Sequence, residues 1–365
     1  MKKPKITFII YSLSLGGAER VLSTLANNLI KNYEVSVITI AEIDSFYNLD
    51  SEIKVTSCIK ENRKGSWLIE PLYRNYLILK KINVIVKENN TDLIISFMTT
   101  ANVLGTLIGL LNKVPVIISE RTNPYHQRIP KIWDLLRTIT YRFSDVLVVQ
   151  TETIKKFFDK KISTKKLIIL PNPISIELTN KRFLTDQSQK KNIVLSVGRL
   201  NSLKAFDMLI KAFAQTNHTN WELWIAGDGQ EHNNLQKLIN ELELNDHVKL
   251  LGLVKDIYKL YNISKIFAFS STYEGFPNVL IEAMHFGLAC VSTDCPTGPS
   301  ELIKNGENGY LVPVGDIDAM RDKLSSLMKE QSKIKQFGEK SIITVQRYEE
   351  EKVVEQWKEV INGLL

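Results

Sequence analysis

Two carboxylates and two cations carry the most chemistry-bearing pattern in this 365-residue chain. Glu274 and Glu282 stand in the stretch EGFPNVLIEAMHFG, residues 274–287, on either side of a Gly-Phe-Pro-Asn turn. Pro277 suits the first turn of a helix, where its missing N–H costs nothing. The unpaired N–H groups of Gly275, Phe276, Asn278 and Val279 can then face a phosphate or sugar hydroxyls. Glu274 is a poor helix cap, and Glu282 neighbours Val279 and Phe286 on a mostly apolar helix. Both read better as acceptors for hydroxyls flanking an anion.

Upstream, VGRLNSLKAFD (residues 197–207) puts Arg199 and Lys204 into one loop. Packing explains two cations there poorly. A diphosphate explains them well, with Arg bridging oxygens in a bidentate way and Lys acting as a point charge. AGDGQ (residues 226–230) reads as a tight loop lining the same place, with Asp228 at its tip. Near the start, SLGGAER (residues 14–20) places Gly16 and Gly17 where a helix opens. Its unpaired amides could face an anion, although a plain strand–helix turn also accommodates two glycines. The dinucleotide fingerprint G-x-G-x-x-G is missing, so Glu42 after the second strand has no partner motif.

These loops need strands to hold them. KITFIIYSL, YEVSVITIA, TDLIISFM, VPVIISE, DVLVVQT and KKLIILPN are short, unbroken Ile/Val-rich runs, as in parallel strands buried on both faces. Between them lie helical patterns, such as GGAERVLSTLANNLIK with Val21, Leu22, Leu25, Leu29 and Ile30 on one face. The alternation predicts a doubly wound α/β domain over residues 1–174. Residues 175–192 are polar and read as a linker. The pattern restarts with IVLSVGRL, WELWIAGDG, HVKLLGLV, KIFAFSS and LACVSTD, predicting a second domain over 190–340. Residues 341–365 form an amphipathic stretch expected to return to the first domain. Two Rossmann-like domains facing across a cleft follow, with ligands at the carboxyl ends of the strands.

Composition narrows the classes. The chain is 44% hydrophobic and 24% charged, that of a globular protein. Three cysteines (Cys58, Cys290, Cys295) match no metal spacing and read as reduced, cytosolic thiols. Five scattered histidines form no H-x-x-x-H pair, so no zinc site is expected. The basic, apolar start reads as a first strand rather than a signal peptide. Leu93–Asn112, free of charge, reads as strand and helix in a buried layer rather than a membrane span. The net charge of +7 is uneven: residues 1–180 hold 25 Lys/Arg against 16 Asp/Glu, the remainder 22 against 24. A basic half points to an anionic surface, and nucleic acid has no supporting motif.

SLGGAER, VGRLNSLKAFD, AGDG and EGFPNVLIEAMHFGLACVSTD, in this order over nearly the whole chain, resemble the family 4 retaining glycosyltransferases of GT-B fold. ISERTNP (residues 118–124) and CPTGPSELI (residues 295–303) look most like bacterial transferases of galactose or N-acetylgalactosamine that extend polyprenyl-diphosphate-linked glycans for capsule, O-antigen or protein glycosylation. The resemblance implies a UDP-sugar donor, no cofactor and no essential metal. It assigns Arg199, Lys204 and Glu274 to catalysis: the two cations grip the diphosphate, and Glu274 holds the moving sugar. Glu282 is assigned to the ribose, the amides of Gly275 to Val279 (around Pro277) to the sugar and β-phosphate, and Gly17 to support across the cleft. Where many relatives carry a histidine touching the sugar, this chain has Arg121. It is expected to contact sugar or acceptor diphosphate, with Glu120 buried behind it and Asn123 on the same acceptor side. Ala205 stands where relatives often have glycine, and little consequence is expected.

KENRKGSWLIEPLYRNYLILKK mixes Arg63, Lys64, Arg74, Lys80 and Lys81 with Trp67, Leu68, Tyr73 and Tyr76, and PKIWDLLRTITYRF is similar. Such mixtures suit an anionic membrane and a lipid diphosphate, implying a cytoplasmic protein peripheral on the inner membrane face. The alternatives are a UDP-sugar epimerase on the same fold, which lacks an evident acid/base set, and a non-catalytic sugar-nucleotide-binding subunit.

Overall fold

A computed structural model describes residues 2–14, 16–60, 70–125, 129–161, 166–183 and 190–365. The chain forms two units, residues 1–173 with 350–365, and residues 174–349.

The first unit runs β1 (Lys5–Ile10), α1 (Gly17–Leu29), β2 (Glu34–Glu42), β3 (Lys54–Lys60), α2 (Glu70–Glu88), β4 (Leu93–Phe97) and α3 (Thr99–Asn112). It continues through β5 (Val116–Ser119), α4 (Lys131–Thr140), β6 (Val146–Val149), α5 (Glu152–Asp159) and β7 (Leu167–Ile169). All seven strands pair in parallel in the order β3-β2-β1-β4-β5-β6-β7. The unbroken apolar runs are strands because both sheet faces are covered. On one face Phe8, Ile95 and Val148 pack with Val21, Leu22 and Leu25 of α1 and with Val353, Trp357 and Ile361. On the other, Ile9, Ile94 and Leu147 pack with Ile82, Ile108, Ile154 and Phe158. Burying each such side chain contributes about 1.5–3 kcal/mol of transfer free energy.

The second unit runs α6 (Ile176–Asn180), β8 (Lys191–Val197), α7 (Phe206–Ala214), β9 (Glu222–Ala226), α8 (His232–Glu241), β10 (Val248–Leu250) and α9 (Ile257–Ile263). Then follow β11 (Ser264–Phe269), α10 (Asn278–His285), β12 (Ala289–Thr293), α11 (Pro299–Leu302), β13 (Gly309–Val312), α12 (Ile317–Lys329) and α13 (Gln331–Val345). Its six parallel strands take the order β10-β9-β8-β11-β12-β13. The last helix, α14 (Glu350–Asn362), belongs to the first unit, where it packs on α1.

Three boundaries depart from the sequence reading. The strands β3 and β13 are additional to those read from the apolar runs. The stretch read as a linker at 175–192 carries α6 and the start of β8 and belongs to the second unit. The helix expected from residue 341 is two helices: α13 ends at Val345, a 3-10 turn spans Gln346–Tyr348, and the chain re-enters the first unit at Glu350. Tyr348 ends that turn because its ring is buried against Phe276, 6.0 Å away.

Candidate functional site

Strand order in the 174–349 unit reverses between β8 and β11. At such a reversal the loops on either side diverge and leave a crevice at the carboxyl edge. Arg199 and Lys204 follow β8, and Glu274 follows β11, so the residues singled out by type flank the reversal.

Local backbone chemistry builds the crevice. After β8, the Asn201 side chain accepts from the Lys204 amide at 3.3 Å and caps a 3-10 turn over Ser202–Lys204. Ala205 then takes a left-handed conformation, φ 46°, and α7 begins. The loop after β9 lies directly against this segment. A Cβ on Gly227, at φ 147°, would stand 1.8 Å from the Gly198 carbonyl oxygen, so only glycine fits. Leu200 N donates to Asp228 O at 3.0 Å, while the exposed Asp228 carboxylate accepts from the Gly229 amide at 2.8 Å.

The two loops beside the reversal are joined by side chains. Lys204 Nζ donates to Glu274 Oε1 at 2.5 Å, and Ser271 Oγ donates to the same oxygen at 2.7 Å. Ser270 Oγ donates to the Lys204 carbonyl at 2.7 Å, and Thr297 Oγ1 donates to the Glu274 carbonyl. Glu274 and Lys204 retain 13% and 20% side-chain exposure, enough to meet a ligand while held in place. Arg199 is exposed and makes no ion pair among the described residues. The nearby thiol of Cys295 is pushed up to about 12 by burial and then by the Glu274 charge, and the Tyr273 phenol rises to about 12 for the same two reasons. Both stay protonated at neutral pH, so neither offers an anionic nucleophile.

Pro277 sits one position before α10 rather than in its first turn, and the Asn278 amide donates back to Phe276 O at 3.0 Å. The anion-facing set is therefore smaller than expected. Among the described residues the amides of Gly275, Phe276 and Val279 donate to no protein group. Gly298, at φ 98°, presses on the Pro277 ring, where a Cβ would come within 2.3 Å of Cδ. Glu282 is 5% exposed and accepts from the Tyr261 hydroxyl at 3.1 Å. Its carboxylate is oriented from within the unit.

In the first unit, Gly16 precedes α1 with an extended backbone, φ −170°, and Gly17 opens the helix. The sequence reading passed over Glu19. Its carboxylate lies against Gly16, where a Cβ would stand 2.1 Å from Glu19 Oε2, and burial raises its pKa. The signal was the acid three residues past the first glycine, in the first helical turn, where the helix dipole favours negative charge.

Arg121, expected to contact sugar or acceptor diphosphate, is buried in the first unit. It is 7% exposed, and its guanidinium lies beside the stacked rings of Phe97 and Trp357, 5.3 and 5.6 Å from their centres. Nε donates to Ser119 Oγ at 2.7 Å and Nη1 to Asn172 Oδ1 at 2.8 Å. Burial lowers its pKa to about 9, against the opposing pull of Glu120, so it remains charged at neutral pH. Contact with the two rings and the hydrogen bonds from Nε and Nη1 offset part of the lost hydration, while Nη2 has no partner among the described residues. Glu120 is buried as expected and accepts from Thr99 Oγ1 (3.1 Å), Tyr141 Oη (2.8 Å) and Thr122 Oγ1 (2.8 Å). Asn123, 2% exposed, accepts from the Tyr125 amide at 3.0 Å. These three residues thus order the loop after β5 from inside. Among the described residues, no group of three His, Cys, Asp or Glu side chains could hold a metal ion.

Comparison with known proteins adds an independent finding. Residues 15–178 match the family described as Glycosyltransferase Family 4, and residues 179–344 match Glycosyl transferases group 1. A Campylobacter jejuni protein is 34% identical over 98% of both chains: the GalNAc-alpha-(1->4)-GalNAc-alpha-(1->3)-diNAcBac-PP-undecaprenol alpha-1,4-N-acetyl-D-galactosaminyltransferase. A second from the same organism is 30% identical over 96% of this chain and 97% of its own: the N-acetylgalactosamine-N,N'-diacetylbacillosaminyl-diphospho-undecaprenol 4-alpha-N-acetylgalactosaminyltransferase. Among solved structures, Anabaena HepE in complex with UDP superimposes with a TM-score of 0.83 at 21% identity, over 98% of this chain and 100% of that one.

Proposed function

This chain belongs to the family 4 glycosyltransferases, and from that premise we propose a retaining, metal-independent enzyme acting on a lipid-linked glycan. It moves a hexose or N-acetylhexosamine from a UDP-sugar to a polyprenyl-diphosphate-linked acceptor. The observation that carries this reading is the Lys204–Glu274 pair spanning the strand-order reversal, beside exposed Arg199 and the free amides of Gly275, Phe276 and Val279. Both relatives act on undecaprenol-diphosphate-linked saccharides and form alpha linkages, which supports the acceptor class and the stereochemistry.

The chemistry follows from charge. As the sugar C1–O bond breaks, negative charge grows on the β-phosphate and positive charge on the sugar ring. Arg199, Lys204 and the free amides stabilise the first, and the Glu274 carboxylate, drawn close by Lys204, binds the sugar's hydroxyls. The acceptor hydroxyl oxygen bonds to C1 on the face the phosphate leaves, and its proton passes to the departing phosphate oxygen, so UDP leaves. Glu282, held by Tyr261, accepts from the ribose hydroxyls. Preorganised donors of this kind are each worth about 3–4 kcal/mol at the transition state.

The same reading puts the protein on the inner face of the cytoplasmic membrane, where its acceptor is anchored. Among the described residues no helix is long and apolar enough to cross a membrane. Of the basic stretch expected to dock, Arg63, Lys64, Trp67 and Leu68 lie outside the described residues, while Tyr73 and Tyr76 on α2 are exposed.

The test is a panel of radiolabelled UDP-sugars with a membrane lipid extract as acceptor, run with and without EDTA. Label passing to the lipid phase in both, with an α anomer by NMR, is expected. A new UDP-sugar without lipid labelling would replace transfer by epimerisation.

A further inference from the structure

The helix α4 presents an apolar stripe to solvent. Ile132, Leu135 and Ile139 are spaced i, i+3 and i+7, which places them on one face of α4, and Phe143 follows in the 3-10 turn Tyr141–Phe143. Their exposures are 54%, 56%, 49% and 54%. The opposite face does the packing: Trp133 and Leu136 join the first unit's core, and Arg137 and Thr140 are buried. An exposed stripe of four large apolar residues is not what a surface helix of a soluble protein requires, since each gains by being covered.

Around the stripe, on α4, α5 and their flanks, cations outnumber acids: Lys131, Arg137, Arg142, Lys155, Lys156, Lys160 and Lys161 stand against Asp134, Asp145, Glu152 and Asp159. The only acid on α4, Asp134, is paired with Arg137 Nη2 at 2.5 Å. The Arg137 guanidinium lies over the rings of Phe157 and Phe158 of α5, at 5.5 and 5.9 Å, so α5 is fixed beside the stripe. Arg142 Nε donates to Lys161 O at 3.2 Å, and Lys161 Nζ lies 4.4 Å from the Phe157 ring centre. Lys131, Arg142, Lys156 and Lys160 are exposed, and among the described residues none pairs with a carboxylate. Tyr125, 54% exposed, packs edge-on against Phe157 and adds an amphipathic ring to the rim. An apolar stripe bordered by unpaired cations and an aromatic matches the interface of an anionic bilayer: the stripe enters the acyl boundary while the cations remain at phosphate level.

We propose that the α4–α5 face docks on an anionic phospholipid surface, with Ile132, Leu135, Ile139 and Phe143 inserted and Lys131, Arg142, Lys156 and Lys160 on the headgroups. This rests on the reading of a membrane-anchored acceptor and names the surface that meets the membrane.

The test is flotation of the full chain with phosphatidylcholine vesicles, with and without phosphatidylglycerol, comparing the protein with a Leu135→Asp/Ile139→Asp variant. Strong flotation on the anionic vesicles alone is expected, falling at least about tenfold in the variant and about fivefold on Arg142→Ala as one headgroup cation is lost. Both aspartates fall on exposed positions, so the thermal melt and transfer to a water-soluble short-chain acceptor should be unchanged. Absence of flotation, or equal flotation of the variant, overturns the proposal. Sedimentation of a dimer that the variant abolishes, without vesicle binding, also overturns it and assigns the stripe to a second copy. Vesicle binding without any sugar transfer would leave the docking surface standing and remove the enzymatic reading.

Discussion

At the scale of single residues, Arg121 shows how residue type and residue role separate. Its position in ISERTNP invites a ligand contact, yet its cation is buried beside the stacked rings of Phe97 and Trp357. Arg121→Ala should leave a void under α14 and remove the donor to Ser119 Oγ, while Asn172 Oδ1 keeps the Gln150 amide, lowering the unfolding free energy by about 2–4 kcal/mol. Denaturant melts check this, and the KM for UDP-sugar should stay essentially where it is. An unchanged melt with altered donor preference would return Arg121 to the ligand. His285 gives a second residue-scale expectation. It is 1% exposed on α10, and burial, then the neighbouring Arg182, lower its pKa to about 4, with Glu349 opposing. The folded value is below the unfolded one, so the unfolded chain takes the proton first as pH falls. The stability it contributes is therefore complete above about pH 6.5 and lost progressively towards pH 4, to about 3 kcal/mol. Urea melts across that window should fall less steeply for His285→Asn than for the parent chain, and parallel profiles would contradict the assignment.

At the scale of elements, Ala205 ends the 3-10 turn that carries Lys204, and it does so at φ 46°. A left-handed residue with a Cβ costs about 1–2 kcal/mol, partly offset by the extra freedom glycine has in the unfolded chain. Glycine here should therefore matter more than the sequence reading allowed. Ala205→Gly is expected to stabilise by about 0.5–1 kcal/mol, seen as a Tm higher by a few degrees. A lower Tm would mean that the alanine methyl packs better than it strains. The elements legible beforehand were those with a strong local signature. The unbroken runs in β1, β4, β5, β6, β8, β11 and β12 announced buried parallel strands. The edge strand β3, KVTSCIK, interrupts its apolar residues with Thr and Ser and carries lysines at both ends, while β13 is four residues long, so neither stands out. Helices α13 and α14 read as one amphipathic segment because their apolar spacing hardly breaks at Gln346–Tyr348. What parts them is tertiary: Tyr348 is held by Phe276, and Trp357 by Arg121, partners distant in sequence. The same distinction governs the site. Arg199, Lys204 and Glu274 were legible from charge type and loop position, whereas the burial of Glu282, Arg121 and Asn123 depends on neighbours that no local pattern reveals.

At the scale of the whole molecule, two parallel sheets supply two carboxyl edges, and the basic first 180 residues contrast with the near-neutral remainder. On the proposed function, that asymmetry would divide the tasks: charge in the first unit for an anionic surface and acceptor, and the paired Lys204–Glu274 crevice in the second for a sugar diphosphate. The central claim is that this crevice stabilises the departing diphosphate. Steady-state transfer from the accepted UDP-sugar to the lipid-linked glycan, compared among the parent chain, Arg199→Ala and Lys204→Ala, tests it most directly. Each variant is expected to lose at least about 100-fold in kcat/KM with its fold intact, and a loss below about threefold in both would contradict the account.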